Sequence, residues 1–422
     1  MAEPIDAVMV GAGSRGHFVY GTYALRHPNE VRFVAVAEPD EGRRRRFAAA
    51  HAIPAGRQYA SWEEVARLPR LAPALVNATM DGDHYASGIA LLEAGYHLLL
   101  EKPMSTTPAR CVELVRVAER HQRVLQIGHV LRYAPFFEAI YQAIRSGRLG
   151  EIVSVDWREK VYWHFAHSFV RGRWANSERA APMILAKCCH DLDVLVWILG
   201  RRCQRISSFG SLTHFRPDRI GAEVPERCTD GCPLADDCLY NALRLYLDPV
   251  VGEFALNAVS LDRHPESIRH ALETGPYGRC VYRCDNDVVD HQVVMMELDS
   301  GLVVSLTMQG SSHVEGRTVR IDGLRATLLG NQARNELVIA DHRTGETEVI
   351  RPPRGVGGHG GGDEGVMRAF VESVRQGATE TLTSGWESLE SHLMAFAAEQ
   401  SRTTGEVVQM AEYRATFDAA RR

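Results

Sequence analysis

The chain is 422 residues long, 45% hydrophobic and 24% charged, with a formal net charge of -5; it can bury a sizeable core in about two to three domains, and its mild, mixed charge argues against a nucleic-acid or anionic-membrane surface. Its first residues, MAEPIDAVMVGAGSRG, lack the basic and apolar regions of a secretory signal, and no run approaches the roughly 18 apolar residues of a membrane span. The expectation is a soluble cytoplasmic protein with small-molecule partners and reduced cysteines.

In chain order, residues 5–10 form an apolar run suited to a buried parallel strand. GAGSRG follows at once, ahead of a helix-like stretch through Tyr23 and Leu25. Strand, glycine turn and helix in that order can cradle a dinucleotide. Gly11 makes the tight turn, Gly13 lets the backbone approach a pyrophosphate, and Gly16 lets the helix pack on the strand. The next strand, VRFVAVAEPD, carries Glu38, 22 positions after Gly16, where an acid would bind the ribose hydroxyls and repel the extra phosphate of NADP. NAD is favoured over NADP, with the run Arg43 to Arg46 as the competing signal, because an arginine just after that acid can hold the phosphate.

The chain continues with PALVNATMDGDH, a helix over about 85–94 stopped by Gly95, and the strand HLLL, which delivers Glu101, Lys102 and Pro103. Ligands bind at the carboxyl ends of strands in a doubly wound sheet. Pro103 disfavours a helical Lys102, so the amine projects from the strand end, where it can bond a substrate hydroxyl that is losing its proton. VLQIGHV then reads as a sixth strand, followed by a helix ending near Gly147.

GAGSRG, the segment NATMDGDHYASGIALLEAGYHLLLEKPMS and the later HDLDVLVWILG together resemble the Gfo/Idh/MocA family of NAD(P)-dependent oxidoreductases, over nearly the whole chain. The resemblance implies a Rossmann domain over 1–128 and, over 129–422, an α+β domain with a large, mostly antiparallel open sheet. That second domain would carry most of the substrate pocket, and its last helices would pack back on the first. A homodimer or homotetramer is implied as well. Cofactor contacts would fall to Gly11, Gly13, Ser14, Arg15, Gly16, Glu38, Thr79, Glu101 and Lys102, with Lys102 beside the nicotinamide and the substrate hydroxyl.

Period-two segments such as QVVMMELDSGLVVSLTMQG and TVRIDGLRATLLG fit the antiparallel sheet, and the glycine-rich RGVGGHGGG precedes a helical tail from about Glu364. His190 matches the family's catalytic histidine. A neutral imidazole, with an ordinary pKa of about 6.5, suits removal of an alcohol proton. Many relatives carry an aspartate four positions earlier, but this chain has Ala186, followed by Lys187. Lys187 is expected to donate to a hydroxyl, hold an anionic substituent, act as a second base, or simply pair with an acid.

Substrate contacts are expected from His129 and Tyr133 after the sixth strand, from Asp191, and from Tyr162, His164, His167, Arg171 and Arg173 in VYWHFAHSFVRGRW, a density of aromatic and basic groups that suits a carbohydrate-like, possibly acidic ligand. VPERCTDGCPLADDC sets Cys228, Cys232 and Cys238 in a turn-rich insert, reminiscent of structural zinc. A fourth ligand is open among His214, Cys203, Cys280 and Cys284, and free thiols or a disulfide remain alternatives. Three activities follow from the resemblance: a dehydrogenase of sugar or cyclitol hydroxyls, a redox-neutral NAD-dependent glycosidase, and a non-catalytic sugar sensor.

Overall fold

The computed structural model describes residues 3–162, 164–248 and 251–418, without the side chains of His164 and Phe254. The first sheet is parallel, in the order β3-β2-β1-β4-β5-β6. Its strands are β1 (Ile5–Val10), β2 (Val31–Ala37), β3 (Gln58–Tyr59), β4 (Ala74–Asn77), β5 (His97–Leu100) and β6 (Leu125–Ile127). The central strands are apolar along their length because helices cover both faces, and β4 is buried at every position. The order reverses between β1 and β4, which opens a crevice beyond their carboxyl ends.

The chain leaves this sheet through the turn Val130–Tyr133 and the helix Pro135–Arg145. The second sheet is built from β7 (Ile152–Lys160), β8 (Cys203–Ser211), β9 (His291–Leu298), β10 (Val303–Gln309), β11 (Gly316–Gly323), β12 (Ala326–Asn331), β13 (Glu336–Asp341), β14 (Thr347–Ile350) and β15 (Val408–Gln409). Its order is β14-β13-β12-β11-β7-β10-β9-β8-β15, and only β7 and β10 pair in parallel among the described residues. Burial alternates along β9 and β10, so one face meets the core while Val303 and Met295 stand on the other, at least 40% exposed.

The tail forms two helices, Gly362–Gln376 and Gly385–Thr404. The second ties the sheets together: Thr383, just before it, accepts from the Ile127 N–H, His392 Nε2 accepts from the Met104 N–H at 2.9 Å, and Ser401 Oγ accepts from the Ser208 N–H at 3.0 Å. Short helices Ala242–Leu247, Glu253–Val259 and Pro265–Thr274 form an insert between β8 and β9, with a small separate core around Tyr246, Ile268 and Leu272. No helix among the described residues is long and apolar enough to cross a membrane.

Candidate active site

The glycine loop has the geometry its spacing demands. Gly11 sits at φ +85°, and a Cβ there would lie 2.4 Å from the Ala78 carbonyl oxygen; at Gly16 it would lie 2.0 Å from the Gly11 oxygen. Gly13 differs, because nothing lies within 4 Å of its Cβ position and the residue faces a cavity of about 740 Å³. A backbone open to close approach at that point fits a dinucleotide pyrophosphate. Ser14, Arg15 and Thr79 line the same cavity. The Glu38 carboxylate, buried at the end of β2, accepts from the Ala12 N–H at 2.8 Å and the Asp40 N–H at 3.1 Å. Arg43 and Arg46 also reach the cavity.

Arg15 is committed within the protein: its Nε donates to Glu101 at 2.6 Å and its Nη1 to Asp363 at 2.9 Å. Glu101, buried, also accepts from Tyr20. Burial opposes the Glu101 charge, but Arg15, Tyr20 and Lys102 outweigh it and hold the carboxyl below its usual range. This pair anchors the loop against the helical tail, since Asp363 belongs to Gly362–Gln376.

Lys102, His190 and Lys187 line this same cavity. The Lys102–Pro103 peptide is cis, and the amine donates to the Ala186 carbonyl at 2.7 Å and lies 5.8 Å from the centre of the Trp174 ring. Burial, reinforced by the charge of Lys102, pushes the His190 imidazole well below its ordinary value, and its Nδ1 has no partner in the protein. A neutral imidazole at the cavity wall can accept a proton. Lys187 is the opposite case. Burial acts to lower its pKa, but Glu159 at 3.1 Å and Glu315 at 3.9 Å prevail and hold it above the usual lysine range.

Behind these groups lie two buried networks. Arg317 bonds Asp191 at 2.9 Å and 3.1 Å and meets Glu159 at 2.8 Å, while Trp157 donates to Asp191 at 2.7 Å. Arg132 makes two 2.7 Å bonds to Asp193, whose Oδ1 is 3.8 Å from His129 Nε2. His129 packs edge-on to His190 and to His392, with ring centres 5.7 Å and 5.3 Å apart.

These contacts sort the expected substrate residues. His167 and Arg173 line the cavity. His129 does not, because it is fully buried behind His190, and Asp191 is consumed by Arg317 and Trp157. The Tyr133 hydroxyl turns to Thr383, and Tyr162 is 47% exposed away from the cavity. Arg171 is buried in the insert, where it bonds the carbonyls of Arg279 and Tyr240. The His164 side chain lies outside the described residues.

The sequence reading missed His359, which pairs with Asp363 at 3.1 Å and has its ring 5.8 Å from that of His190, and Tyr277, which stacks on His167 at 4.5 Å. His359 sits inside the glycine-rich stretch, a histidine among six glycines, and that was the available signal. Glu159 and Arg317 looked like ordinary charged positions on strands. All nine cysteines are free thiols, and no group of three or more His, Cys, Asp or Glu among the described residues could hold a metal ion as it stands. The expected zinc site at Cys228, Cys232 and Cys238 is therefore not formed as a single-ion cage: the three thiols border a small cavity instead of meeting.

Known proteins share this architecture. An oxidoreductase from Agrobacterium radiobacter, solved in complex with NAD+, L-tartaric acid and magnesium, superposes with a TM-score of 0.70 at 14% identity, covering 97% of this chain and 99% of that one. An inositol dehydrogenase homolog from Azotobacter vinelandii, complexed with NADH and myo-inositol, gives a TM-score of 0.66 at 19% identity over 97% and 98%. In sequence, the chain is 23% identical over 303 residues to the putative oxidoreductase YteT of Bacillus subtilis, covering 68% of this chain and 69% of that protein. It is 30% identical over 223 residues to inositol 2-dehydrogenase 2 of Saccharopolyspora erythraea, covering 50% and 60%. Residues 5–129 match the NAD-binding Rossmann domain of the Gfo/Idh/MocA oxidoreductases and residues 141–410 match their C-terminal alpha/beta domain. With both domain models matched in order around one shared cavity, this chain belongs to the Gfo/Idh/MocA oxidoreductase family.

Proposed function

We propose that the protein is an NAD-dependent dehydrogenase that oxidises a secondary hydroxyl of a sugar, sugar derivative or cyclitol. The observation that carries this reading is a neutral, largely buried His190 lining the same cavity as the Lys102 amine and the glycine loop. NAD, when bound, supplies the hydride acceptor. His190 takes the hydroxyl proton, and the Lys102 ammonium steadies the oxygen as charge develops on it. The Ala186 carbonyl holds that amine in place.

Residues 1–128 form the cofactor unit on this reading, and 129–422 the substrate unit. Glu38, tied to the loop backbone, favours NAD; equal or tighter binding of NADP would assign Arg43 or Arg46 to the extra phosphate instead. The open face of the second sheet suits association of copies into a homodimer or homotetramer. Lys187 and Arg173 give the cavity cationic groups, which supports an acidic substrate.

The alternative is a redox-neutral glycosidase, which needs one group to take a C–H proton and another to protonate the leaving oxygen; Lys187, kept protonated by its two glutamates, suits the second role and not the first. Incubation with NAD and a panel of polyols, sugars, uronates and chromogenic glycosides separates the readings. Stoichiometric NADH with a free sugar or polyol is expected; glycoside cleavage with only catalytic NAD and no NADH build-up would replace the dehydrogenase with the glycosidase, and no turnover on any of them would favour a sensor.

A further inference from the structure

Oxidation of an alcohol sends its two hydrogens to different places. The C–H bond breaks with its electron pair, which NAD accepts as hydride, while the O–H bond breaks to leave its pair in the new carbonyl and its proton on His190. That proton has to reach solvent before the next turnover. His190 is 5% exposed, and burial makes its ring a poor holder of the charge. It packs against two other histidines, His129 with ring centres 5.7 Å apart and His359 with centres 5.8 Å apart.

These two neighbours lead in different directions. His129 is fully buried, both of its ring nitrogens lack a hydrogen-bond partner, and burial, reinforced by the charge of Arg132, pushes it well below its ordinary pKa. A proton passed inward would meet a group that refuses it. His359 lines the same cavity as His190 and has a side chain 38% exposed, so it stands between the buried base and water. The other histidines lining that cavity are engaged elsewhere. His17 packs on Phe18 and Phe47, His84 bonds the carbonyls of Pro103 and Thr79, and His167 bonds Tyr246 and stacks on Tyr277.

His359 is also equipped to take a proton. Its Nδ1 lies 3.1 Å and 3.2 Å from the two carboxylate oxygens of Asp363. Burial opposes the Asp363 charge, but Arg15 and His359 outweigh it and hold the carboxyl below its usual range. An ionised carboxylate only accepts hydrogen bonds, so Nδ1 carries the ring hydrogen and Nε2 is the basic nitrogen of the neutral ring. A proton arriving on Nε2 makes an imidazolium whose charge lies against that carboxylate. The backbone points the same way. His359 holds φ +51°, a left-handed conformation uncommon outside glycine, although Gly357, Gly360 and Gly361 around it adopt such angles freely. A glycine at 359 would remove that strain, and strain of this kind collects where a side chain serves a site.

We propose that His359 is the proton exit of the active site: once the carbonyl product has moved away, it receives the proton from His190 through one water of the shared cavity and releases it from Nε2 to solvent, with Asp363 steadying the imidazolium. Ring centres 5.8 Å apart on the wall of one cavity are a spacing that a single bridging water spans. This role depends on the dehydrogenase reading, because only there is a proton released in every turnover.

The test is stopped-flow NADH formation on a substrate found in the panel, in weakly buffered solution with and without added imidazole, for wild type, His359→Ala and His359→Gln. Both variants should form the first NADH per site at the wild-type rate and then turn over about tenfold or more slowly, and imidazole should restore most of that loss. Their NAD affinity and Tm should stay near wild type. The glutamine amide can keep a bond to Asp363 but cannot carry a proton, so a wild-type steady state in His359→Gln alone would mean that the ring only braces Asp363, and would overturn the relay. A slowed first turnover, a steady state unchanged in both variants, or a loss that imidazole leaves in place would overturn it as well. The two readings fail separately: wild-type protein that forms no NADH removes the dehydrogenase and the relay together, whereas wild type that forms NADH with variants to match removes the relay alone.

Discussion

Burial holds the His190 imidazole well below about 6.5, and the nearby Lys102 charge adds to the effect. The base form therefore persists into mild acid, and the acidic limb of kcat/KM should fall below pH 6.5 when measured across pH 5 to 9. A limb centred at or above 6.5 would assign the proton to another group. His190→Ala and Lys102→Ala should each lower turnover by about 10²- to 10⁴-fold, with NAD affinity near wild type by fluorescence titration, if these groups act on the hydroxyl proton as proposed. Lys187 tests substrate charge. Held protonated by Glu159 and Glu315, it should contribute a charge-assisted bond to an anionic substituent, so Lys187→Met should raise KM for an acidic sugar by about tenfold or more and leave a neutral polyol little changed.

At the scale of elements, the glycine loop separates folding from binding. A methyl at Gly16 collides with the Gly11 carbonyl, whereas one at Gly13 meets nothing. Gly16→Ala should cost about 1–3 kcal/mol of stability through overpacking, seen as a lower Tm, while Gly13→Ala should fold normally and lose NAD affinity. Equal Tm losses in both would place the pyrophosphate elsewhere. The parallel strands and their glycine turn were legible because continuous apolar runs of about five residues bounded by glycine admit few other structures. The insert helix Glu253–Val259 was not, since seven residues leave too short a period to read.

For the whole molecule, the seam between the two sheets is lined by histidines that cannot easily take a proton. Burial lowers His129 and His190 well below their ordinary value and His392 to about 3. Above about pH 6.5 these residues are neutral both folded and unfolded, and they add no pH dependence. As pH falls below that value the unfolded chain binds protons that the folded chain refuses, so stability drops progressively toward the depressed values. Tm should be flat from pH 7 to 8 and fall from 6.5 to 5. His392→Gln, which keeps a polar group at the seam, should reduce the slope; an unchanged slope would move the acid sensitivity to other groups.

The order of strand, glycine turn and acid, the Lys102 strand end and the His190 helix start are local patterns, each carried by residues within one or two elements, and so they could be read along the chain. Arg171 shows what could not. From its neighbours in sequence it reads as a substrate contact, but the segment after β7 turns it into the insert, where Cys228 and Cys280 border one small cavity from positions 52 residues apart. Lys187 is similar: its role was open until β7 and the turn before β11 brought Glu159 and Glu315 to it. Sequence by itself determined the cofactor fold and picked out Lys102 and His190, which line one cavity, because backbone geometry and burial periodicity act over a few residues. Tertiary structure alone decided which charges are spent inside the protein and which face the cavity, because that depends on contacts between strands and loops far apart in the chain.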